Sequence, residues 1–457
     1  MSAAKEYESG VDDEIIADTK QPCCTKRRFQ CLTILSIAIT FISLVVVVPW
    51  VVIGAKNKVK NAATQGVRYG SAWMPLGNKL LATEGAQEFG ESVDLSSGGD
   101  FLVIGSNAIN NNRGQVEVRQ FSGIDWRLLG SVIPGAEEDE NFGQTVQLSK
   151  NGKLVIAGGF GANNDNDDTK IPGVVRAYAL NERQQKWEQY GSAIYGDKAG
   201  DRFGISLSSS SDGKSWIAGA DLSPGPNGEE NGYSRVYHDI DGEWVQKGST
   251  IPGTNDERSG YAVAMSGDGN TVCVGDRNYK VPDIGMRGRA RCFFWNGNDW
   301  NKKGRDMVGK YEDGQMGYSL ALNYDGNRVA VGDRFGGDNT EGSVAVFELK
   351  GVTWSMMGDE QVSVRRGDQS GFKVDLNREG NVFAWTARGY NGDGADTGVV
   401  RVARWVNGEW QRMGSDLLGD DAKDYFGESV ALNDDGTIVA ASANIGSVEY
   451  VRTFALS

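Results

Sequence analysis

The chain has 457 residues, with 63 glycines and 12 tryptophans against only 9 prolines and 39% hydrophobic residues. That is too long for one ordinary compact domain and too rich in glycine for a helical bundle, so a turn-rich, all-β repeat array fits best. A formal net charge of −14 repels phosphate backbones and excludes nucleic acid as a partner, and the single histidine, His238, excludes His-ligated zinc and triad hydrolysis.

Residues 1–30 read as a cytoplasmic amino-terminal tail, in which Cys23 and Cys24 are either palmitoylation sites or spare thiols. Residues 31–55 carry no charge and are long enough to cross about 30 Å of hydrocarbon, which predicts one transmembrane helix acting as a signal anchor. Lys26, Arg27 and Arg28 lie tight against its amino end and favour a single-pass, type II membrane protein whose residues 71–457 are extracellular or luminal. The lack of any Asn-x-Ser/Thr sequon after the span keeps a cytosolic scaffold open. Residues 56–70 read as a juxtamembrane linker.

From residue 71 to 457 one unit recurs. Its first marker is Trp-x-x-x-Gly, at Trp73, Trp126, Trp187, Trp244, Trp300, Trp354 and Trp410, spaced 53, 61, 57, 56, 54 and 56 residues apart. The second is Phe-Gly or a degenerate form, as in Phe89-Gly90, followed by alternating apolar residues and a glycine turn. Period-two alternation predicts strands, four per unit. In the second copy strand A is expected at 142–149, B at 154–157, C at 174–178 and D at 187–194. Cys273 and Cys292 fall on successive strands of one hairpin, where a disulfide or two buried thiols would both fit. The array opens with a lone strand D at Trp73 and closes on strands A, B and C without a following tryptophan. The fold class is therefore all-β, a seven-bladed β-propeller closed by pairing of its amino- and carboxyl-terminal strands, preceded by one transmembrane helix. The periodicity of the tryptophans assigns them to packing between blades rather than to sugar stacking.

The Phe-Gly, Leu-x-x-x-Gly and Val-Ile-Gly stretches resemble the FG-GAP repeat, the blade unit of the integrin α-chain propeller. The resemblance covers Trp73 to the carboxyl end and implies the propeller fold. Integrin-type blades often hold Ca²⁺ between strands A and B; here that turn has shrunk to Asp-Gly, so calcium there does not carry over.

Connections from D to A and from B to C emerge on one face, and they carry acids. Partner-binding candidates are Glu138, Asp139, Glu140, Glu312, Asp313, Asp420 and Asp421, together with Arg366-Gly367-Asp368, a tripeptide that many integrins recognise, in a loop where display is expected. Asp165, Asp167, Asp168, Asp393 and Asp396 are the candidates for Ca²⁺, with no cofactor required. No nucleophile elbow, Walker loop or His-Glu-x-x-His motif is present, so no enzyme is expected. The functional expectation is a membrane-anchored, non-catalytic binding, adhesion or scaffold module presenting an acidic loop face to a protein or glycan partner. The alternative is a propeller-type glycan hydrolase using channel carboxylates, since two acids at the right separation suffice.

Overall fold

Short β-prone runs separated by glycine turns pair in chain order. In a computed structural model, which describes residues 72–82, 88–161, 172–225, 228–391, 396–445 and 448–457, they form seven antiparallel sheets of four or five strands, the blades of a propeller, with a two-stranded ribbon, Lys280–Val281 and Gly285–Met286, in one loop. The expected membrane helix at 31–55 lies outside the described residues. Among those described, no helix is long and apolar enough to cross a membrane.

Strands A to D run outward from the axis. In blade 1 they are Phe89–Leu95, Phe101–Ser106, Gln115–Phe121 and Trp126–Leu128. Blade 7 joins the two ends of the chain: Val430–Leu432, Ile438–Ala443 and Tyr450–Leu456 are completed by Trp73–Pro75. Trp73 pairs with Leu456 and Pro75 with Phe454, so the expected closure is present and strand C of blade 7 has no open edge there. In blade 2 strand A begins only at Thr145 rather than at Phe142.

No single core exists. Buried apolar residues fall into seven clusters, each between two neighbouring blades, including one that joins blade 7 to blade 1 through Phe89, Val93, Ala431 and Val451. The tryptophans sit in these seams as expected. Each donates its indole N–H to the carbonyl just before the Trp-x-x-x-Gly glycine of the preceding blade: Trp126 to Leu76 at 3.0 Å, Trp187 to Leu129 at 2.9 Å, Trp244 to Tyr190 at 3.1 Å and Trp300 to Lys247 at 2.6 Å. Trp354 bonds Lys303, Trp410 bonds Met357, and Trp73 closes the circle on Met413. The glycine is needed because the ring lies on it: at Gly130 (φ 73°) a Cβ would stand 3.0 Å from the Trp187 ring. Nearer the axis the backbones themselves touch, and a Cβ on Gly105 would lie 2.0 Å from the carbonyl oxygen of Gly143. The first repeat marker is thus one packing device: a buried indole with its polar atom satisfied, laid on a residue with no side chain.

The A-to-B turns are also alike. A Ser or Asn side-chain oxygen at the end of strand A accepts backbone N–H groups at the start of B, as Ser149 does from Leu154, Ser266 from Thr271 and Asn433 from Ile438. The register sets Cys273 directly opposite Cys292, and the two are bonded, fully inside the seam between blades 4 and 5.

Candidate functional site

The acids of the D-to-A loops do not converge on a ligand. One in each of several loops turns inward and accepts the backbone N–H groups of its own loop. Glu140 takes those of Ala136 and Glu137, Asp424 those of Asp420 and Asp421, Asp201 that of Lys198, and Glu257 that of Thr254. Buried donors at a tight turn need such acceptors, so sequence acidity here is turn chemistry. Asp368 is a correction of the same kind. It is 1% exposed and accepts the Arg365 N–H at 3.2 Å, so Arg366 and Gly367 are displayed without the carboxylate that the tripeptide requires. Glu140 is likewise withdrawn, held by Arg176. Glu138, Glu312, Asp313, Asp420 and Asp421 are exposed and Asp139 half-buried, on separate loops around the rim. Asp420 is neutralised by Lys79 and Arg452.

Of the calcium candidates, Asp396 is half-buried and accepts the Tyr425 hydroxyl at 3.3 Å. Asp165, Asp167, Asp168 and Asp393 lie outside the described residues. Among the described residues, no group of three or more His, Cys, Asp or Glu is arranged to hold a metal ion.

What does converge is the mouth of the channel on this face. Strand A lines the axis, so the residue after each Phe-Gly glycine points into the mouth, and so does the residue that follows strand B. A side-chain link crosses every blade boundary there. Asn107 donates to Gln144 at 2.6 Å, Arg202 lies over the Phe160 ring, Arg277 approaches Asp221 at 3.8 Å, and Tyr261 bonds the Tyr318 hydroxyl at 2.9 Å. Arg334 donates to Gln369 at 3.2 Å, Arg388 to Glu428, and Asn444 to Glu91 at 2.7 Å. The last link crosses the closure between the two ends of the chain.

The two sides of the mouth differ in chemistry. On blades 6, 7, 1 and 2, a cleft of about 400 Å³ is lined by Glu91, Glu428, Asn107, Asn444, Gln144 and Arg388, among others. Asn107 and Asn444 are each 3% exposed, and neither Oδ1 has a hydrogen-bond partner among the described residues. The Glu91 carboxyl is pushed up to about 7, first by burial and then by the charge of Glu428, against the pull of Lys373. Asp375, deeper in the channel and close to Lys150, is also pushed up to about 7, chiefly by burial.

A pH dependence follows from these two groups. Each holds a proton in the folded protein that the unfolded chain releases near its ordinary carboxylate value, so between about pH 4.5 and 7 the folded form binds more protons and stability falls as pH rises. Thermal melts should therefore give a midpoint several degrees higher at about pH 5.5 than at about pH 7.5. The Glu91→Gln, Asp375→Asn double variant should reduce that slope, Asp333, whose carboxyl burial also pushes up to about 7, keeping the remainder; an unchanged slope would show that neither group titrates there.

On blades 3 to 6 the mouth is basic and aromatic. Arg202 and Arg277 flank the fully buried Asp221, at 3.2 and 3.8 Å, while Arg258 pairs with Glu230. Guanidinium groups lie against rings in succession: Arg277 is 3.9 Å from the centre of Tyr261, Arg334 5.0 Å from Tyr318, and Arg388 4.4 Å from Phe372. Each stack places an ion on the negative face of a ring and holds the guanidinium plane. Six residues just before or at the Phe-Gly step, Glu88, Asn141, Arg202, Arg258, Gln369 and Tyr425, hold positive φ, a strained state for side chains of this size. Sequence reasoning passed over all of these mouth residues. The signal was positional: aligning the seven copies on Phe-Gly and taking the next residue gives Glu91, Gln144, Ile205, Tyr261, Tyr318, Phe372 and Glu428.

No family model matches the chain, and no curated protein matches it. Among solved structures, a crystal structure from Bacteroides uniformis named for a 6-phosphogluconolactonase superposes with a TM-score of 0.48 at 15% identity, over 72% of this chain and 86% of that one. At that distance the match carries nothing about chemistry.

Proposed function

We propose that the protein is a non-catalytic binding module, held on a membrane by residues 31–55, which receives a glycan at the channel mouth on the face of the D-to-A and B-to-C loops. The observation that carries this reading is the polar cleft itself, where Asn107 and Asn444 hold Gln144 and Glu91 through their amide N–H groups while their buried Oδ1 atoms have no hydrogen-bond partner among the described residues. A buried acceptor left unpaired costs about 1–3 kcal/mol, so a small rotation of either side chain that brings its oxygen to a sugar hydroxyl is favoured. The ring of Phe160 in the same cleft offers a sugar an apolar face. The likeness to FG-GAP repeats supports a binding role and rests on the repeat residues alone. The Cys273–Cys292 bond supports placing the propeller on the extracellular or luminal side, where disulfides persist.

A second reading is favoured by one observation, the Glu91–Glu428 pair. Two carboxylates with different environments, one protonated near neutral pH, are what glycoside hydrolysis uses. One experiment separates the two. Full-length protein in detergent is presented to a panel of immobilised polysaccharides, and both retention and released reducing sugar are measured. Retention without release, weakened at least tenfold by an Asn107→Ala, Asn444→Ala double variant, is the expected result. Release that disappears in Glu91→Gln would replace binding by hydrolysis. No retention on any polysaccharide would remove the glycan reading.

A further inference from the structure

The cleft of blades 6, 7, 1 and 2 accounts for neutral sugar contacts; the opposite side of the mouth is built for something else. There four guanidinium groups, Arg202, Arg258, Arg277 and Arg334, face two carboxylates, Asp221 and Glu230, within a protein whose net charge is −14. The surplus is therefore local and runs against the global charge. Arg334 is its centre. It makes no ion pair within 4.0 Å among the described residues. Its group is wedged among three rings, Tyr318, Phe335 and Phe372, at 5.0, 4.9 and 5.5 Å. Nη1 donates to the Tyr318 hydroxyl at 3.0 Å and Nε to Gln369 at 3.2 Å. A guanidinium carries five N–H donors, so three remain for a ligand.

We propose that Arg334 is the anchor of an oxyanion subsite in the mouth, and that the glycan is an acidic one whose carboxylate or sulfate group docks on it. This rests on the reading of the mouth as a glycan site. A planar fork fixed by rings and by two hydrogen bonds has little freedom left to lose, and it meets an oxyanion through two parallel N–H bonds that a neutral hydroxyl does not fill. Arg277 and Arg388, stacked on Tyr261 and Phe372 in the adjoining blades, extend the same half-ring, so that consecutive acidic residues of a polymer meet consecutive blades. Arg388 is shared with Glu428, which places the boundary between the acidic-sugar and neutral-sugar sides at blade 6.

The test uses full-length protein in detergent and isothermal titration with three probes of equal length: an oligogalacturonate, a sulfated galactan oligosaccharide and a neutral galactan oligosaccharide. The expected result is at least one acidic probe bound tenfold or more tightly than the neutral one, with affinity falling as salt is raised from about 50 to about 200 mM. Whichever acidic probe binds more tightly identifies the source of the oxyanion. Arg334→Ala should remove that preference by lowering acidic-probe affinity tenfold or more, and Arg334→Lys should restore part of it. A cooperative urea transition retained in each variant shows that the fold is intact. Equal binding of acidic and neutral probes, or a preference that survives in Arg334→Ala, would overturn the subsite while leaving the glycan site standing. Failure of all three probes would overturn the subsite; the polysaccharide panel then decides the wider reading separately.

Discussion

A chain lacking only residues 72–82, with its amino-terminal segment otherwise intact, is expected to lose cooperative folding and to elute as aggregate. That segment supplies the outer strand of blade 7, through the pairs Trp73 with Leu456, Met74 with Ala455 and Leu80 with Val451. Without it Trp73 leaves the cluster between blades 6 and 7, and its indole no longer caps the Met413 carbonyl at 2.6 Å. The larger effect is on the edge. Strand C of blade 7, Tyr450–Leu456, would then present a row of unpaired backbone groups to any other chain, which is the ordinary route to edge-to-edge association. Size-exclusion chromatography and a thermal melt check this. A monomeric deletion variant with an unaltered melt would mean that the ring is held without that strand.

Trp126→Ala should be the most damaging of the single tryptophan changes. Truncating a buried tryptophan to alanine costs about 3–5 kcal/mol through lost burial and the cavity left behind. Trp126 is 5% exposed in the cluster that joins blade 7 to blade 1, and its indole N–H is shared by the Leu76 carbonyl at 3.0 Å and the Thr453 hydroxyl at 2.8 Å. Both acceptors belong to blade 7, one from each end of the chain, so a single ring ties the two ends together. Urea unfolding should show a lower midpoint with an unchanged slope. Val364→Ala, at an 87% exposed site, should change the stability by less than about 0.5 kcal/mol and serves as the control. Equal effects at both sites would deny the seams their role.

The architecture was legible because it is repeated. Seven tryptophans at near-constant spacing, a glycine four residues on, and an opening strand without its partners led directly to a closed ring, and each device has one geometric cause: an indole needs a glycine to lie on and a carbonyl to bond. The closure has a refinement that spacing did not reveal. Six blades carry glycine just before strand C, where its backbone meets the next blade; the seventh carries Glu449, whose carboxylate instead accepts the N–H groups of Glu88 and Phe89 at 3.0 and 2.9 Å.

The site was not legible, for two physical reasons. Sequence shows that a loop is acidic but not which way its acids point, and Glu140, Asp368 and Asp424 turned inward to satisfy backbone donors. The mouth residues share a position rather than a chemistry, so Glu91, Tyr318 and Phe372 looked unrelated until the ring brought them to one place. The convergence is a property of the circle, and nothing in the neighbourhood of any one of them along the chain announces it.

Everything assigned to the mouth depends on blades 7 and 1 being joined, since Asn444 reaches Glu91 across that boundary. Amide hydrogen exchange of the full-length protein tests this most directly. Leu76, whose N–H bonds the Thr453 carbonyl, and Ser457, whose N–H bonds that of Ala72, should exchange as slowly as outer-strand amides of blades 1 to 6. Rapid exchange at Leu76 and Ser457, with the other six blades protected, would contradict that joining.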